Sequence, residues 1–407
     1  MRLSILSIQY APEFTSNAIV ITGLAKQLAA RGHDVTVLAG TPHYQLPRVP
    51  PGYAWRLFRR QTCDGVKVIR CWAFPKSQGK IAKLLNYASF TLTSLAAGFF
   101  TRRPQAILIV SPPFWLAFNA FLWRALWRCP VVYNAQDLFP EAYLASQEVR
   151  PGPMTRLMSG LMDRIYRGAD RITVITPSFA KAITERGIDR AKLVTIPNFV
   201  DTAAVKPLSR SNSFREEQNL GEKFVVLYAG NIGYTHGAEL LVEAASILAE
   251  VPNLLFLVIG GGSKQGDVES LARTKGLANI RFLPTQPSAV LPEMLAAADV
   301  FVMTSKAGVG GTSFPGRIYN FLLAARPVVA SFDEDSDLAE VLRRAEAGIV
   351  TAPGKVEDFC HALTTLYHDA ALRERLGRNG VEFMKNHYSP PAVVEQYEVL
   401  LKGLNAD

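Results

Sequence analysis

The sequence predicts an α/β chain built from two βα arrays, and three observations carry that prediction. Short apolar runs such as LSILSI, VTVL, FVVLYAG, LLFLVIG and VVAS read as strands buried on both faces. Amphipathic stretches alternate with them, so the strands are joined by helical crossovers and pair in parallel. The length, 407 residues, is too great for one ordinary α/β domain and suits two, and a hydrophobic content of 49% excludes a disordered chain.

In order, residues 3–8 read as the first strand and 10–17 as a loop. Residues 18–31 form a helix with Ile21, Leu24, Ala25 and Leu28 on one face, closed by Gly32. His33 in RGHDV is a turn residue before the strand 35–38. Residues 41–55 form a long loop rich in proline and aromatics, as binding loops often are. A strand at 66–72 precedes the most apolar stretch, 80–100. Its Asn86, Ser89, Thr91, Thr93 and Ser94 make it too short and too polar for a membrane span, which leaves a buried or an interfacial helix. A strand at 107–110 leads into SPPFWLAFNAFLWRALWR, either a core helix with a basic end or a membrane-surface helix. Strands follow at 130–133, 172–176 and 193–196, with helices at 154–168 and 178–186 between the later ones. Residues 203–222 are polar and aperiodic and read as an interdomain linker. The second array has strands at 224–230, 254–260, 280–284, 300–304 and 328–330. Its helices are at 238–248, 268–274, 291–298, 340–345 and 356–366, and a terminal helix lies at 392–401.

The net charge of +9 comes from 44 Lys+Arg against 35 Asp+Glu, with a basic excess in the first third of the chain. It suits an anionic partner, or it is a solvated surface. No nucleic-acid-binding motif accompanies it. A membrane-surface reading requires Arg59, Arg60 and Lys83 on one face with Trp123 and Trp127. Cys63, Cys71, Cys129 and Cys360 show no CxxC spacing, so reduced thiols in the cytosol are expected, and no signal-peptide pattern precedes the first strand.

Three strand–glycine–helix turns lie in the second array: Gly230-Asn231-Ile232-Gly233, Gly260-Gly261-Gly262, and the stretch 308–331. Such turns bring backbone N–H groups close to a phosphate. In the third, Thr312 or Ser313 is expected to cap a helix with Pro315 in its first turn, and Pro327 ends that helix. No GxGxxG follows the first strand and no GxxxxGK[ST] occurs, which argues against a dinucleotide oxidoreductase and a P-loop NTPase.

RGHDVTVL, VVYNAQDLFPE, GADRITVIT, VTIPNFVD, FVVLYAGNIG, AAADVFV and PGRIYNFLLAARPVVAS together resemble the retaining glycosyltransferases of family 4, the sucrose-synthase-like group. Within that group the chain is similar to the bacterial colanic-acid and O-antigen branch, which moves fucose- or fucosamine-type sugars. The resemblance implies the GT-B fold, two Rossmann-like domains with parallel sheets facing across a cleft. It divides the chain into an acceptor-side domain, 1–202, on which a terminal helix at 390–407 packs back, and a nucleotide-sugar domain, 203–389.

It also implies site residues. The family's two glutamates, eight positions apart, fall on Thr312 and Asn320, and Asn320 is a neutral partner for a ribose hydroxyl. Arg317 stands where that branch has lysine and suits a diphosphate leaving group. Gly230, Asn231, Gly233, Lys264, Phe282 and Ser313 complete the donor side, with Asn17 in the loop that is usually glycine-rich. The family's histidine near the transferred sugar falls on Gln136, which leaves Asp137 and Glu141 as the carboxylates to activate or orient an acceptor hydroxyl; a turn and helix cap at Asp-Leu-Phe-Pro is the alternative. The implied partners are a GDP-, UDP- or dTDP-sugar and a polyprenyl-linked saccharide acceptor, on the cytoplasmic face of the inner membrane, with no metal or other cofactor and no nucleic acid. Two other readings remain: a non-transferring enzyme of the UDP-N-acetylglucosamine 2-epimerase kind, and an inactive nucleotide-sugar binder.

Overall fold

The computed structural model describes residues 1–13, 15–43, 49–50, 52–53, 56–75, 79–141, 144, 151–200, 205–309 and 314–404. Thr312 and Ser313 lie outside them. The chain forms two compact units: Met1–Leu144 with Val149–Phe199 and Pro390–Asp407, and Val200–Ser389.

Unit 1 holds β1 (Arg2–Ser7), β2 (Asp34–Gly40), β3 (Phe58–Cys63), β4 (Val66–Cys71), β5 (Ala106–Val110), β6 (Val131–Ala135), β7 (Arg171–Val174) and β8 (Leu193–Thr195). The sheet order is β3-β4-β2-β1-β5-β6-β7-β8. Every neighbouring pair is parallel except β3 with β4. The order reverses between β1 and β5, the place where such sheets open a crevice at their carboxyl ends. Side chains alternate across the sheet, so Leu3, Ile5, Val35, Val37 and Val68 join one core with Ile21, Leu24 and Leu28 of helix Ser16–Ala30. The terminal helix Pro390–Gly403 completes that core through Val393, Val394 and Tyr397. Its Glu398 accepts from Arg31 at 3.0 Å and meets His33 Nε2 at 3.1 Å, which gives His33 a structural place at the turn.

β3 departs from the sequence reading, which has no strand there. It is a charged, mostly exposed edge strand, so no apolar alternation marks it. Its signal is Asp64-Gly65, both at positive φ (50° and 77°), a two-residue hairpin turn of the kind that joins antiparallel strands.

Unit 2 holds β9 (Phe224–Ala229), β10 (Leu254–Ile259), β11 (Ile280–Leu283), β12 (Val300–Thr304), β13 (Val328–Ser331) and β14 (Gly348–Thr351) in the order β11-β10-β9-β12-β13-β14. All pairs are parallel, and the order is that of a Rossmann sheet, reversing between β9 and β12. Val225 and Leu227 face one core layer, while Val226 and Tyr228 face the other.

The expected linker at 203–222 is instead part of this unit. Asn212 caps helix Ser213–Glu217, and Val205, Phe214 and Leu220 are buried in the core. Arg215, also buried, lies 3.7 Å from Asp299 and donates to the Ala297 carbonyl at 2.5 Å. Three apolar residues set among polar ones carry this docking, so no periodicity betrays it. Helix Ala370–His387 and strand β14 also depart from the sequence reading; the helix buries Leu376, Phe383 and Met384 in an otherwise largely charged and polar sequence.

Candidate functional site

The stretch 308–331 places its helix at Arg317–Leu323, later than expected. Gly316 is the N-cap and supplies no side-chain bond, and Pro315 precedes the helix rather than sitting in its first turn; the expected Thr312 or Ser313 cap lies outside the described residues. Ile318, Phe321 and Leu322 bury this helix, and the Phe321 ring stacks on Phe301 of β12 at 4.2 Å between centroids. That anchor leaves Arg317 and Asn320, one turn apart, on the side facing a cavity of about 550 Å3.

The cavity lies at the carboxyl ends of β9 and β10. Ala229, Gly230, Asn231, Ile259, Gly260 and Gly261 line one wall, and Arg317, Asn320 and Phe321 another. Thr285, Gln286 and Pro287 after β11, with Leu291, Met294 and Leu295, close an apolar end. Gly230 (φ 149°) and Gly260 (φ 146°) lie back to back: a Cβ on Gly260 would overlap the Gly230 carbonyl oxygen, and one on Gly230 would overlap Arg317 Nη1. Conformation therefore requires glycine at both positions, and at Gly260 the backbone overlap requires it by space as well.

The Arg317 guanidinium sits 4.8 Å from the Tyr228 ring centroid and donates from Nη1 to the Ala229 carbonyl at 3.3 Å. Its Nε is buried without a partner. His236 is held below its ordinary pKa by burial and then by the Arg317 charge, so it is neutral at neutral pH and Arg317 is the cation of this wall.

Lys264, Phe282 and Gly233 do not line the cavity. Lys264 is ion-paired with Asp267 at 2.7 Å and stacks over Tyr234. Phe282 packs on the core layer that contains Val268 and Ala272. Gly233 lies against Asn231 and His236. Asn17 is in the first turn of helix Ser16–Ala30, behind the Thr15 cap, at the carboxyl end of β1. Thr285–Pro287 and Met294 were missed, because a turn after a strand and a helix methionine carry no chemical signature.

In unit 1 the assigned residues follow β6. Gln136 is buried in an amide network: its Nε2 donates to Asn134 Oδ1 (2.6 Å) and Asn198 Oδ1 (3.1 Å), and its Oε1 accepts from Asn198 Nδ2 (2.8 Å). Asn134 in turn donates to Thr173 and to Tyr397 of the terminal helix. Both amide protons are used, leaving one carbonyl lone pair for a ligand. Glu141 is bound by Arg186 at 3.2 Å, beside the tighter Arg186–Asp163 pair at 2.8 Å.

Asp137 is half-buried, and burial raises its carboxyl above the ordinary 3.8, partly offset by the Lys83 charge. The folded chain thus holds this proton more tightly than the unfolded one. The ionised carboxylate opposes folding above 3.8, increasingly as pH climbs through the folded-state pKa. Asp137→Asn is expected to raise the melting temperature at neutral pH and to leave it unchanged below the ordinary aspartate range. A change that ignores pH would assign Asp137 to packing alone.

Glu13 and His43, unremarked in the sequence, are buried at the carboxyl ends of β1 and β2. Glu13 accepts from the His43 backbone N–H at 3.0 Å. His43 Nδ1 lies 2.7 Å from the Thr41 carbonyl and Nε2 lies 3.0 Å from Asn86 Nδ2, so both ring nitrogens are engaged. This histidine holds the loop and is spent in doing so.

The membrane face expected of Arg59, Arg60, Lys83, Trp123 and Trp127 does not form. Trp123 is buried and stacked on Trp127, Arg59 lies over Tyr53, Arg60 reaches the Phe100 carbonyl beyond one end of helix Lys80–Gly98, and Lys83 is at the other end. Among the described residues no helix is long and apolar enough to cross a membrane, and no three His, Cys, Asp or Glu side chains gather as a metal site.

Comparison with known proteins agrees with this geometry. A family described as "Glycosyl transferase 4-like domain" matches residues 18–198, and "Glycosyl transferases group 1" matches 209–383. WcaI of Escherichia coli (strain K12), whose name places it as a glycosyl transferase of colanic acid biosynthesis, is 27% identical over 92% of this chain and 95% of its own. Sucrose-phosphate synthase from Thermosynechococcus elongatus superposes with a TM-score of 0.76 at 19% identity, covering 100% of this chain and 99% of that one. Anabaena Alr3699/HepE, solved in complex with UDP-glucose, gives 0.70 at 16%, covering 98% and 99%. With one glycosyl transferase domain on each α/β unit, the chain belongs to the GT-B glycosyltransferases of family-4 type, and it is an enzyme of that class.

Proposed function

We propose that the chain transfers a sugar, with retention, from a nucleotide diphosphate donor to a polyprenyl-linked saccharide acceptor in bacterial cell-surface polysaccharide synthesis. The observation that carries this reading is the cavity of unit 2, where a glycine-built wall faces Arg317 and Asn320 across an apolar slot. A nucleoside base suits the slot, and Asn320 suits a ribose hydroxyl. The diphosphate suits the close backbone at Gly230 and Gly260 and the charge of Arg317.

The glycosidic bond to the leaving phosphate breaks as charge passes to the diphosphate, which Arg317 meets, and the acceptor hydroxyl attacks from the same face as its proton passes to the departing phosphate oxygen. On unit 1, Asp137 is the assigned partner of that hydroxyl, since Glu141 is paired with Arg186 and Gln136 is committed to its network. WcaI and the HepE complex favour polysaccharide synthesis and a nucleotide-sugar donor for those relatives, and the proposal extends both to this chain.

A place on the cytoplasmic face of the inner membrane rests not on the basic and tryptophan face but on the apolar faces of the two stretches read as possible interfacial helices and of one neighbour. Helices Lys80–Gly98, Leu116–Trp127 and Pro153–Gly168 pack side by side and each turns apolar side chains outward. Phe118, Leu122 and Leu126, four residues apart, form one such stripe, with Leu84 and Leu92, and Met154 and Leu157, on the neighbours.

Incubation with GDP-, UDP- and dTDP-sugars tests the transfer. Nucleoside diphosphate release is expected only when lipid-linked saccharide is present, with the anomeric configuration kept in the product by NMR. Release without acceptor, or an epimerised free sugar, contradicts it. Asn320→Ala is expected to raise KM for the donor by up to about tenfold with kcat little changed, the effect of one neutral hydrogen bond to a group bound alike in ground and transition states.

A further inference from the structure

We propose that unit 1 carries a second site, a cup for the phosphate group of an anionic lipid headgroup, set away from the carboxyl ends of the strands. The cup, about 450 Å3, opens where the chain leaves helix Lys80–Gly98, at the amino ends of β1 and β2. Strand register places Ser4, Thr36, Lys67 and Thr62 in one row across four strands on a single face. A sheet face beneath a helix layer is ordinarily apolar; this row is hydroxyl and cationic. Arg2, Arg60 and Arg102 line the cup with it.

The charges are arranged for an anion. The lining holds four cationic side chains and one carboxylate, Asp34, which is already bonded to Lys67 at 2.7 Å. Arg2 is steadied by the Arg103 carbonyl at 3.0 Å and Arg60 by that of Phe100 at 3.5 Å. Each uses only one nitrogen in doing so, and the fork that remains suits phosphate oxygens.

The rim selects the source of that phosphate. Phe100 lines the cup, is 67% exposed and pairs with the exposed Phe58 at 6.4 Å between centroids. A free phosphate has no use for an apolar rim, whereas the glycerol and acyl carbons behind a headgroup would cover it. This inference rests on the reading that the chain works at a membrane surface, and it adds the group that is recognised there.

The test uses the full chain with vesicles of phosphatidylcholine alone and of phosphatidylcholine with phosphatidylglycerol. The expected result is binding to the anionic vesicles that falls roughly 30-fold in Arg60→Ser/Arg102→Ser, the effect of two basic side chains at an anionic surface. Arg60→Lys/Arg102→Lys should keep most of it. Neither residue lies in the donor cavity, so the melting temperature and the donor-induced stabilisation should stay as in the wild type. Undiminished binding of the serine variant overturns the cup. Equal binding of the wild type to both vesicle types overturns the cup and leaves the apolar face standing, and binding to neither removes both. If inorganic phosphate alone stabilises the wild type but not the serine variant, while anionic vesicles bind the two alike, the lipid source is overturned.

Discussion

Arg317→Ala is expected to lower kcat/KM for transfer roughly 100-fold or more, the range seen when a preorganised partner of transition-state charge is removed. The geometry gives the reason. Arg317 is the cation of the donor cavity wall, it is braced by Tyr228 and the Ala229 carbonyl, and its buried Nε has no other partner. Negative charge on the diphosphate grows as the glycosidic bond breaks, so the loss should fall more on kcat than on KM. Arg317→Lys should recover part of the rate, because it restores charge without the planar fork. A merely structural arginine would show the opposite: a lowered melting temperature with kcat unchanged.

Gly260→Ala is the second large effect. The new Cβ would enter the Gly230 carbonyl oxygen at a residue held at φ 146°, so the β9 and β10 ends must part. A loss of about 3 kcal/mol or more of unit 2 stability is expected, from a strained backbone and a main-chain clash together. Donor binding should be lost even at temperatures where the variant stays folded, since Gly230 and Gly260 line the same wall. Gly276→Ala, also at positive φ (62°) but with open space around its Cβ, separates the two causes: it should destabilise through backbone strain alone and leave donor affinity intact. Equal losses of affinity in both variants would contradict the wall assignment.

Much of this was legible because buried parallel strands announce themselves. FVVLYA and LLFLVI are apolar at every position, and the helices between them carry one apolar face. What escaped was hidden by its position. β3 is a charged edge strand, signalled by the turn Asp64-Gly65 alone, and residues 205–222 dock through Phe214 and Leu220 set in a polar frame.

The site divides in the same way. Gly230, Asn231, Arg317 and Asn320 were readable as residue types in a strand–turn–helix setting. Gln136 was readable as a position, but its commitment was not, since it depends on Asn198, 62 residues away, and through Asn134 on Tyr397, a further 263 along the chain from that residue. Arg186 likewise claims Glu141 from 45 residues away. Side chains that meet only after folding leave no trace in spacing.

The claim on which the rest depends is that the unit 2 cavity holds a nucleotide-sugar diphosphate. Thermal denaturation of the wild type and of Arg317→Ala with a panel of GDP-, UDP- and dTDP-sugars tests it directly. One nucleotide class should raise the wild-type melting temperature by roughly 5 °C at saturating concentration, and the rise should be much smaller in Arg317→Ala. No stabilisation by any member of the panel, or the same stabilisation in the variant, would contradict the account.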